Sequence, residues 1–255
     1  MSVGYEHFDL NAIKQFELKN NIKIKLGFTP DVLTDAVAEI NIGLALTVMR
    51  RLFEAQSAAI NGNWKQWSPN WLLGHQLSNK TIGLLGFGRI GKATYERLLP
   101  FKPKQLLYYK RTLLQQSYEN LIYSNTMESL LSESDIIFIN IDLNPDTIHL
   151  IDYSKLSLMK KEAILINSSR GQIINQDDLV KVLRENKLGG VGLDVTTPEP
   201  LSKNHPLFIE FKNKVTIFPH IGSATVETRN MMGDLALDNL LTGINDQELK
   251  TEIKY

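Results

Sequence analysis

The sequence contains no cysteine. Disulfide bonds, thiolate nucleophiles and metal sites built on cysteine are therefore excluded, and we expect no metal site. No run approaches the roughly 18 consecutive apolar residues that a membrane helix needs, and residues 1–10, MSVGYEHFDL, lack the basic and apolar regions of a signal peptide. We expect a cytoplasmic protein with no membrane partner, in the reducing compartment that suits a cysteine-free chain.

Net charge is also missing, because 28 lysine and arginine residues balance 28 aspartate and glutamate residues. No broad positive field is available to attract nucleic acid, so we expect a small-molecule partner and no nucleic acid. The chain has 255 residues and shows no internal repeat or low-complexity segment. That length suffices for one large domain or two small ones.

Short apolar segments alternate with segments of helical pattern along the chain. The short segments are apolar on nearly every residue, which is typical of parallel strands buried on both faces of a sheet. The segments between them are long enough for crossover helices, so the pattern predicts an α/β fold with a doubly wound parallel sheet of the Rossmann type. The predicted strands are 81–87, 105–109, 135–141, 163–168, 189–195 and 215–218.

Two other segments predict long helices. Residues 34–55 carry apolar side chains around most of the helix circumference, which predicts a single helix buried between layers. Residues 226–242 predict the final helix, with Gly243 as its C-terminal cap.

A glycine motif of the form G-x-G-x-x-G follows the first predicted strand and opens a helix. Its first glycine permits a tight turn, its second lets a pyrophosphate approach the backbone, and its third lets helix and strand pack closely. The surrounding strand, helix and strand favour a dinucleotide site over the alternative, a glycine-rich turn that binds nothing. The predicted cofactor-binding residues of the motif are Gly86, Phe87, Gly88, Arg89, Ile90 and Gly91.

The second predicted strand ends with Lys110 and Arg111. NAD sites usually place an acidic residue there, about 20 residues after the motif, to bind the ribose 2′-hydroxyl. Two basic side chains would instead form ion pairs with a 2′-phosphate, so we predict NADP(H) in preference to NAD(H). The alternative is a solvated basic turn, which is common on protein surfaces.

Three polar residues follow later predicted strands, namely Arg170, Glu199 and His220. Ligands of open α/β sheets bind at the carboxyl ends of strands, so their joint placement indicates an active site. Each also has a structural alternative: a solvated surface arginine, an exposed glutamate in a turn, and a histidine with a structural role.

Four segments of the chain closely resemble the D-isomer-specific 2-hydroxyacid dehydrogenases, and the resemblance covers nearly the whole chain. They are 86–91 (GFGRIG), 166–179 (INSSRGQIINQDDL), 192–201 (GLDVTTPEPL) and 218–225 (FPHIGSAT). Residues 29–35 (TPDVLTD) and 200–207 (PLSKNHPL) are similar to the glyoxylate reductase/hydroxypyruvate reductase branch of that family.

The resemblance implies a role for each candidate residue. Arg170 would hold the carboxylate and keto oxygen of the substrate, Glu199 would orient the imidazole, and His220 would donate the proton. It also implies further contacts to substrate or cofactor: Asp194 beside the substrate and nicotinamide, Gly222 at the cofactor, and Val3 and Gly4 at the substrate carboxylate through their N–H groups.

The chemistry of keto acid reduction accounts for these residue types independently. Hydride transfer to a keto carbon builds negative charge on oxygen, which must receive a proton, and a histidine can supply it. A carboxylate behind the imidazole stabilises its protonated form. An arginine offers two parallel donors to the substrate carboxylate and so fixes which face of the carbonyl meets the hydride.

The family has a flavodoxin-like substrate domain beside the nucleotide domain, and this chain has room for only a remnant of it. We expect residues 1–29 and 226–255 to form that remnant and residues 30–225 to form the NAD(P)-binding domain. The segment before residue 34 has room for about one helix and one strand. We therefore expect a chain that is truncated at its N-terminus relative to the family.

Residues 63–77 form a predicted loop that contains all three tryptophans, Trp64, Trp67 and Trp71. Such a concentration of tryptophan suits a protein interface, so we expect a homodimer formed through this loop. In the resembling family the loop is the dimerisation arm, which implies that Trp71 reaches the substrate pocket of the neighbouring subunit. The alternative is local packing beneath the loop.

Two functions stay open at this point. The first is an NADPH-dependent reductase that converts glyoxylate or hydroxypyruvate into glycolate or D-glycerate. The second is a non-catalytic nucleotide-sensing protein, similar to the related C-terminal-binding corepressors. The residues Arg170, Glu199 and His220 favour the enzyme.

Overall fold

The computed structural model describes Gly4 and residues 8–255. The chain divides into two compact units. The larger unit is Val37–Gly222, and the smaller unit joins the chain up to Ala36 with Ser223–Tyr255.

In the described chain, the larger unit contains one seven-stranded parallel sheet. The strand order is β3-β2-β1-β4-β5-β6-β7, so the chain reverses its direction of progress across the sheet between β1 and β4. Ligands of such sheets bind at this reversal, beyond the carboxyl ends of the strands. The predicted doubly wound α/β fold is thus confirmed. The strands are β1 Thr81–Leu85, β2 Gln105–Tyr109, β3 Leu121–Tyr123, β4 Ile136–Ile139, β5 Ile164–Asn167, β6 Gly190–Leu193 and β7 Val215–Ile217.

The central strands β1, β4, β5 and β6 are buried at every residue, which explains their unbroken apolar sequences. The sequence pattern did not predict β3, a three-residue strand at the edge of the sheet. Its central residue Ile122 is 50% exposed, so no continuous apolar pattern marks it. The helices of the described chain are α1 Leu10–Asn20, α2 Thr34–Met49, α3 Leu52–Ile60, α4 Arg89–Leu98, α5 Met127–Glu133, α6 Tyr153–Leu158, α7 Gln176–Arg184, α8 Pro206–Ile209 and α9 Val226–Ile244, with short 3₁₀ turns at Leu99–Phe101 and Gly171–Ile173.

Helices cover both faces of the sheet in the larger unit. One apolar cluster packs α5, α6 and α7 against the strands, and a second packs α2 and α4 against them. This arrangement buries both faces of the central strands, and it leaves the carboxyl ends of the strands to carry the polar residues of a site.

The prediction of one buried helix over 34–55 was wrong beyond Met49. Arg51 adopts a left-handed backbone conformation with φ of 54°, and its guanidinium binds the Glu54 carboxylate at 2.7 and 2.9 Å. A new helix, α3, starts at Leu52 and contains no buried residue. The break has no glycine or proline to mark it; two adjacent arginines, Arg50 and Arg51, interrupt the apolar sequence, which resumes at Leu52.

The smaller unit contains α1, α9 and the C-terminal segment. An antiparallel bridge pairs Gly27 with Glu252, and the Asn239 side chain on α9 exchanges hydrogen bonds with Thr251 at 2.7 and 3.1 Å. The predicted cap at Gly243 was wrong, since α9 continues to Ile244 and Asn245 is the capping residue. None of the helices that the structure describes has the length and apolarity needed to cross a membrane.

Candidate functional site

The glycine motif forms the turn between β1 and α4. Gly86 has a φ of 93°, and a Cβ there would lie 2.4 Å from the Asn140 carbonyl oxygen. A Cβ at Gly91 would lie 2.4 Å from the Gly86 carbonyl oxygen, whereas a Cβ at Gly88 would meet nothing within 4 Å. The first and third glycines are therefore required by the packing of the turn. The second faces open space at the start of α4, where a phosphate group fits.

A buried polar network lies beneath this turn. The Asn41 side chain on α2 donates to Thr94 Oγ1 at 3.0 Å and to Asn140 Oδ1 at 3.1 Å, and it accepts from Ser168 Oγ at 2.7 Å. The network joins α2, α4 and the ends of β4 and β5 at the reversal of the sheet. The sequence pattern did not single out Asn41, although an asparagine within a largely apolar helix is a signal that could have identified it.

Not every residue of the motif faces a ligand with its side chain. The Phe87 ring is 5% exposed and packs against Tyr95, Tyr108 and Tyr118, with ring centroids 5.4–5.7 Å apart. Phe87 therefore belongs to the core and contributes only its backbone to the turn. Arg89 is exposed, and Ile90 is half-buried.

The end of β2 lies beside the glycine turn. The Gly86 N–H donates to the Tyr109 carbonyl at 2.9 Å, so the chain leaves the sheet at Lys110 and Arg111 next to the motif. Arg111 is exposed, Lys110 is half-buried, and neither forms an ion pair with another residue in the described part of the chain.

Glu199 and His220 form a direct pair. His220 Nδ1 lies 2.8 Å from Glu199 Oε2, and Glu199 Oε1 accepts a hydrogen bond from the Thr196 N–H at 3.1 Å. Both carboxylate oxygens are thus occupied, and Nε2 is the ring nitrogen that remains for proton transfer to a ligand. The His220 side chain is 46% exposed, so a ligand can reach it.

Asp194 organises the loop that carries His220. Its side chain accepts from the Ile221 N–H at 2.8 Å and the Gly222 N–H at 2.7 Å, and its backbone carbonyl accepts from the His220 N–H at 2.9 Å. Burial raises the pKa of the Asp194 carboxyl, and the two N–H groups and the nearby imidazole offset this only in part. Asp194, which the resemblance placed near the substrate, therefore accepts hydrogen bonds from backbone N–H groups with both of its carboxylate oxygens.

Arg170 follows β5 on the same edge of the sheet. Its Nη1 donates to the Ser169 carbonyl at 2.7 Å, and the Asn167 side chain donates to the Arg170 carbonyl at 2.9 Å. The next residue, Gly171, packs so closely that a Cβ would lie 2.1 Å from the Thr196 carbonyl oxygen. The loop of Arg170 thus touches the loop that positions Glu199.

The remaining predicted site residues lie in the N-terminal segment and in the tryptophan-rich loop. Val3 falls outside the described residues, and Gly4 belongs to the smaller unit. Trp64, Trp67 and Trp71 are 62%, 79% and 40% exposed. All three side chains thus belong to the exposed apolar residues of the described chain.

Comparison with known proteins reveals extensive similarity. Residues 42–222 match the family model described as D-isomer specific 2-hydroxyacid dehydrogenase, NAD binding domain. The whole chain aligns with the glyoxylate reductase/hydroxypyruvate reductase of Mus musculus at 45% identity and covers 75% of that protein.

Solved structures agree with the sequence comparison. The TT0316 protein from Thermus thermophilus superposes with a TM-score of 0.89 at 39% identity, over 99% of this chain and 77% of that one. An NADPH-dependent glyoxylate/hydroxypyruvate reductase from Sinorhizobium meliloti, in complex with NADP and malonate, superposes with a TM-score of 0.84 at 31% identity, over 99% and 75%.

Proposed function

Because this chain belongs to the D-isomer specific 2-hydroxyacid dehydrogenase family, we propose that it is an NADPH-dependent reductase of a short 2-keto acid. Its substrate would be glyoxylate or hydroxypyruvate, and its product glycolate or D-glycerate. The observation that carries this proposal is the 2.8 Å pair of His220 Nδ1 and Glu199 Oε2 on a half-exposed imidazole. A protein that only sensed the nucleotide would not need this pair.

The glycine turn fits a dinucleotide. Gly88 leaves open space for a pyrophosphate at the N-terminus of α4, and Lys110 and Arg111 lie at the adjacent end of β2, where a 2′-phosphate would be held. When bound, the reduced nicotinamide would supply the hydride. The named complex of the Sinorhizobium meliloti reductase with NADP also favours this cofactor.

The residues of the chain would divide the remaining work. Arg170 would hold the substrate carboxylate through parallel guanidinium donors. His220 would deliver a proton from Nε2 to the keto oxygen as charge develops there, and Glu199 would stabilise the imidazolium and keep the ring oriented. Asp194 and Gly222 would fix the His220 loop beside the cofactor.

We also propose that the smaller unit belongs to a flavodoxin-like substrate domain. Two chains would associate through residues 63–77, and Trp71 would reach the partner's substrate pocket. The exposure of Trp64, Trp67 and Trp71 supports that interface.

Two matched histidine variants test the catalytic proposal. His220 and His149 both have left-handed backbone conformations, with φ of 54° and 53°, which asparagine tolerates. We expect His220→Asn to lower the rate of NADPH oxidation with glyoxylate or hydroxypyruvate by about 100-fold or more, because the proton donor is lost. His149→Asn should keep the wild-type rate.

The measurement is the absorbance of reduced nicotinamide, together with the Kd of NADPH for each protein. An unchanged rate in His220→Asn would remove His220 from the mechanism. Tight NADPH binding by a wild-type protein that turns over neither substrate would favour the non-catalytic alternative.

A further inference from the structure

Gln176, the first residue of α7, reaches the loop that carries Glu199. Its Nε2 donates to the Thr197 carbonyl at 2.7 Å, and its Oε1 accepts from the Thr197 N–H at 3.1 Å. One side-chain amide thus satisfies both backbone groups of a single residue 21 positions away. We propose that Gln176 is a positioning residue for the Glu199–His220 pair, an inference that rests on the proposed reductase function.

The contact holds the backbone of the loop. The Thr197 hydroxyl oxygen is buried and has no hydrogen-bond partner in the described chain, so the polar contacts of Thr197 are those of its N–H and carbonyl. Its neighbour Thr196 donates from its N–H to Glu199 Oε1 at 3.1 Å and from its hydroxyl to the Pro198 carbonyl at 2.9 Å. A displacement at Thr197 therefore moves the donor that orients the Glu199 carboxylate.

Hydrogen bonds of the preceding residue hold the start of α7, where Gln176 lies. The Asn175 side chain caps α7 by accepting from the Asp178 N–H at 3.2 Å, and the Asn175 N–H donates to the Ile151 carbonyl at 3.0 Å. The His205 ring touches the amide, with 3.3 Å between its Nε2 and Gln176 Nε2. The amide is therefore confined on one side by His205 and on the other by the Thr197 backbone.

The geometry explains how a residue without ligand contact would affect catalysis. Glu199 divides its two oxygens between the Thr196 N–H and His220 Nδ1, so its orientation is transmitted directly to the imidazole. Loss of the Gln176 contact would free the loop, and misplacement of a proton donor by about 1 Å can lower turnover by about 100-fold.

The first test compares Gln176→Ala with Asp177→Asn, an exposed position on the same turn of α7. We expect Gln176→Ala to lower kcat by about tenfold to 100-fold, with the KM of the keto acid and the Kd of NADPH changed by less than about threefold. Asp177→Asn should leave all three values unchanged. Equal kinetic constants for Gln176→Ala and wild type would overturn the proposal.

Gln176→Glu separates a positioning role from a merely structural one. A glutamate in the first turn favours helix formation, so a residue needed only to start α7 would tolerate this change. One carboxylate oxygen of the glutamate can still accept from the Thr197 N–H. The other oxygen replaces the amide nitrogen that donated to the Thr197 carbonyl, so that hydrogen bond is lost and two acceptors face each other. We expect a fall in kcat similar to that of Gln176→Ala; wild-type turnover would contradict the proposal.

A spectroscopic readout makes the test independent of turnover. Ring ¹⁵N chemical shifts at alkaline pH report which nitrogen of His220 carries the proton, and His220→Asn identifies its signals among those of the five histidines. The wild-type protein should hold the Nδ1–H form against Glu199, and Gln176→Ala should lose it. Retention of the Nδ1–H form in Gln176→Ala would overturn this proposal alone, whereas its absence from the wild type would contradict the site on which the proposed function depends.

Discussion

At the scale of single residues, the candidate site depends on close packing as much as on chemical groups. The resemblance identified Arg170 and Glu199 by their chemical types, but nothing in the sequence indicated why Gly171 stands between their loops. The structure supplies the reason, because a Cβ at this position would lie 2.1 Å from the Thr196 carbonyl oxygen and 2.7 Å from Thr197 Oγ1. The missing side chain at Gly171 lets the loop of Arg170 approach the loop of Glu199 closely.

Substitution of Gly171 by alanine tests this packing. We expect Gly171→Ala to lower the free energy of unfolding by about 1–3 kcal/mol, because the loops must separate to admit the methyl group. Turnover should also fall, because separating the loops moves Glu199. Gly43→Ala on α2 is the control, since a Cβ there meets nothing within 4 Å and alanine favours a helix. Urea unfolding measures the free energy of unfolding of both variants. Equal stability of Gly171→Ala and wild type would refute the argument.

At the scale of elements, the end of β2 would decide which cofactor binds. The Gly86–Tyr109 hydrogen bond brings Lys110 and Arg111 to the glycine turn, where a 2′-phosphate would form charge-assisted hydrogen bonds. We expect Arg111→Ala to raise the Kd of NADPH by about tenfold or more and to leave the Kd of NADH unchanged. Lys104→Ala, exposed at the opposite end of β2, is the control and should change neither value. Tighter binding of NADH than NADPH by the wild type would contradict the prediction.

The strands were predictable because both faces of β1, β4, β5 and β6 are buried, so that apolar residues follow one another without interruption. The missed strand and the break in the long helix have different causes. β3 is a three-residue edge strand with a half-exposed centre, and the helix ends where Arg51 takes a left-handed conformation that no glycine marks in the sequence. An apolar sequence does not report where the backbone turns, and the exposed helix α3 shows that it does not guarantee burial.

At the scale of the whole molecule, the exposed tryptophans of residues 63–77 predict self-association. Trp64 and Trp67 are 62% and 79% exposed, a large apolar area on a loop without regular secondary structure. We expect the wild type to sediment as a dimer, and Trp67→Ser to raise the dimer Kd by about tenfold or more, because buried tryptophans dominate interface energies. Leu113→Ser, at another exposed apolar residue of the same unit, should leave the dimer intact. A monomeric wild type at micromolar concentration would count against the interface.

The sequence by itself determined the fold class, the glycine turn and the family, and the comparisons confirm both the α/β fold and the family. These properties follow from local patterns, since the apolar strands and the motif spacing are each read within a few residues. The tertiary structure alone decided which oxygen of Glu199 meets His220, that Asp194 binds two backbone N–H groups, that Asn41 binds Asn140 and that Gln176 binds the Thr197 backbone. Each of these contacts joins residues 21 or more positions apart, and no pattern along the chain encodes a distance between side chains that only the packed sheet and its helices bring together.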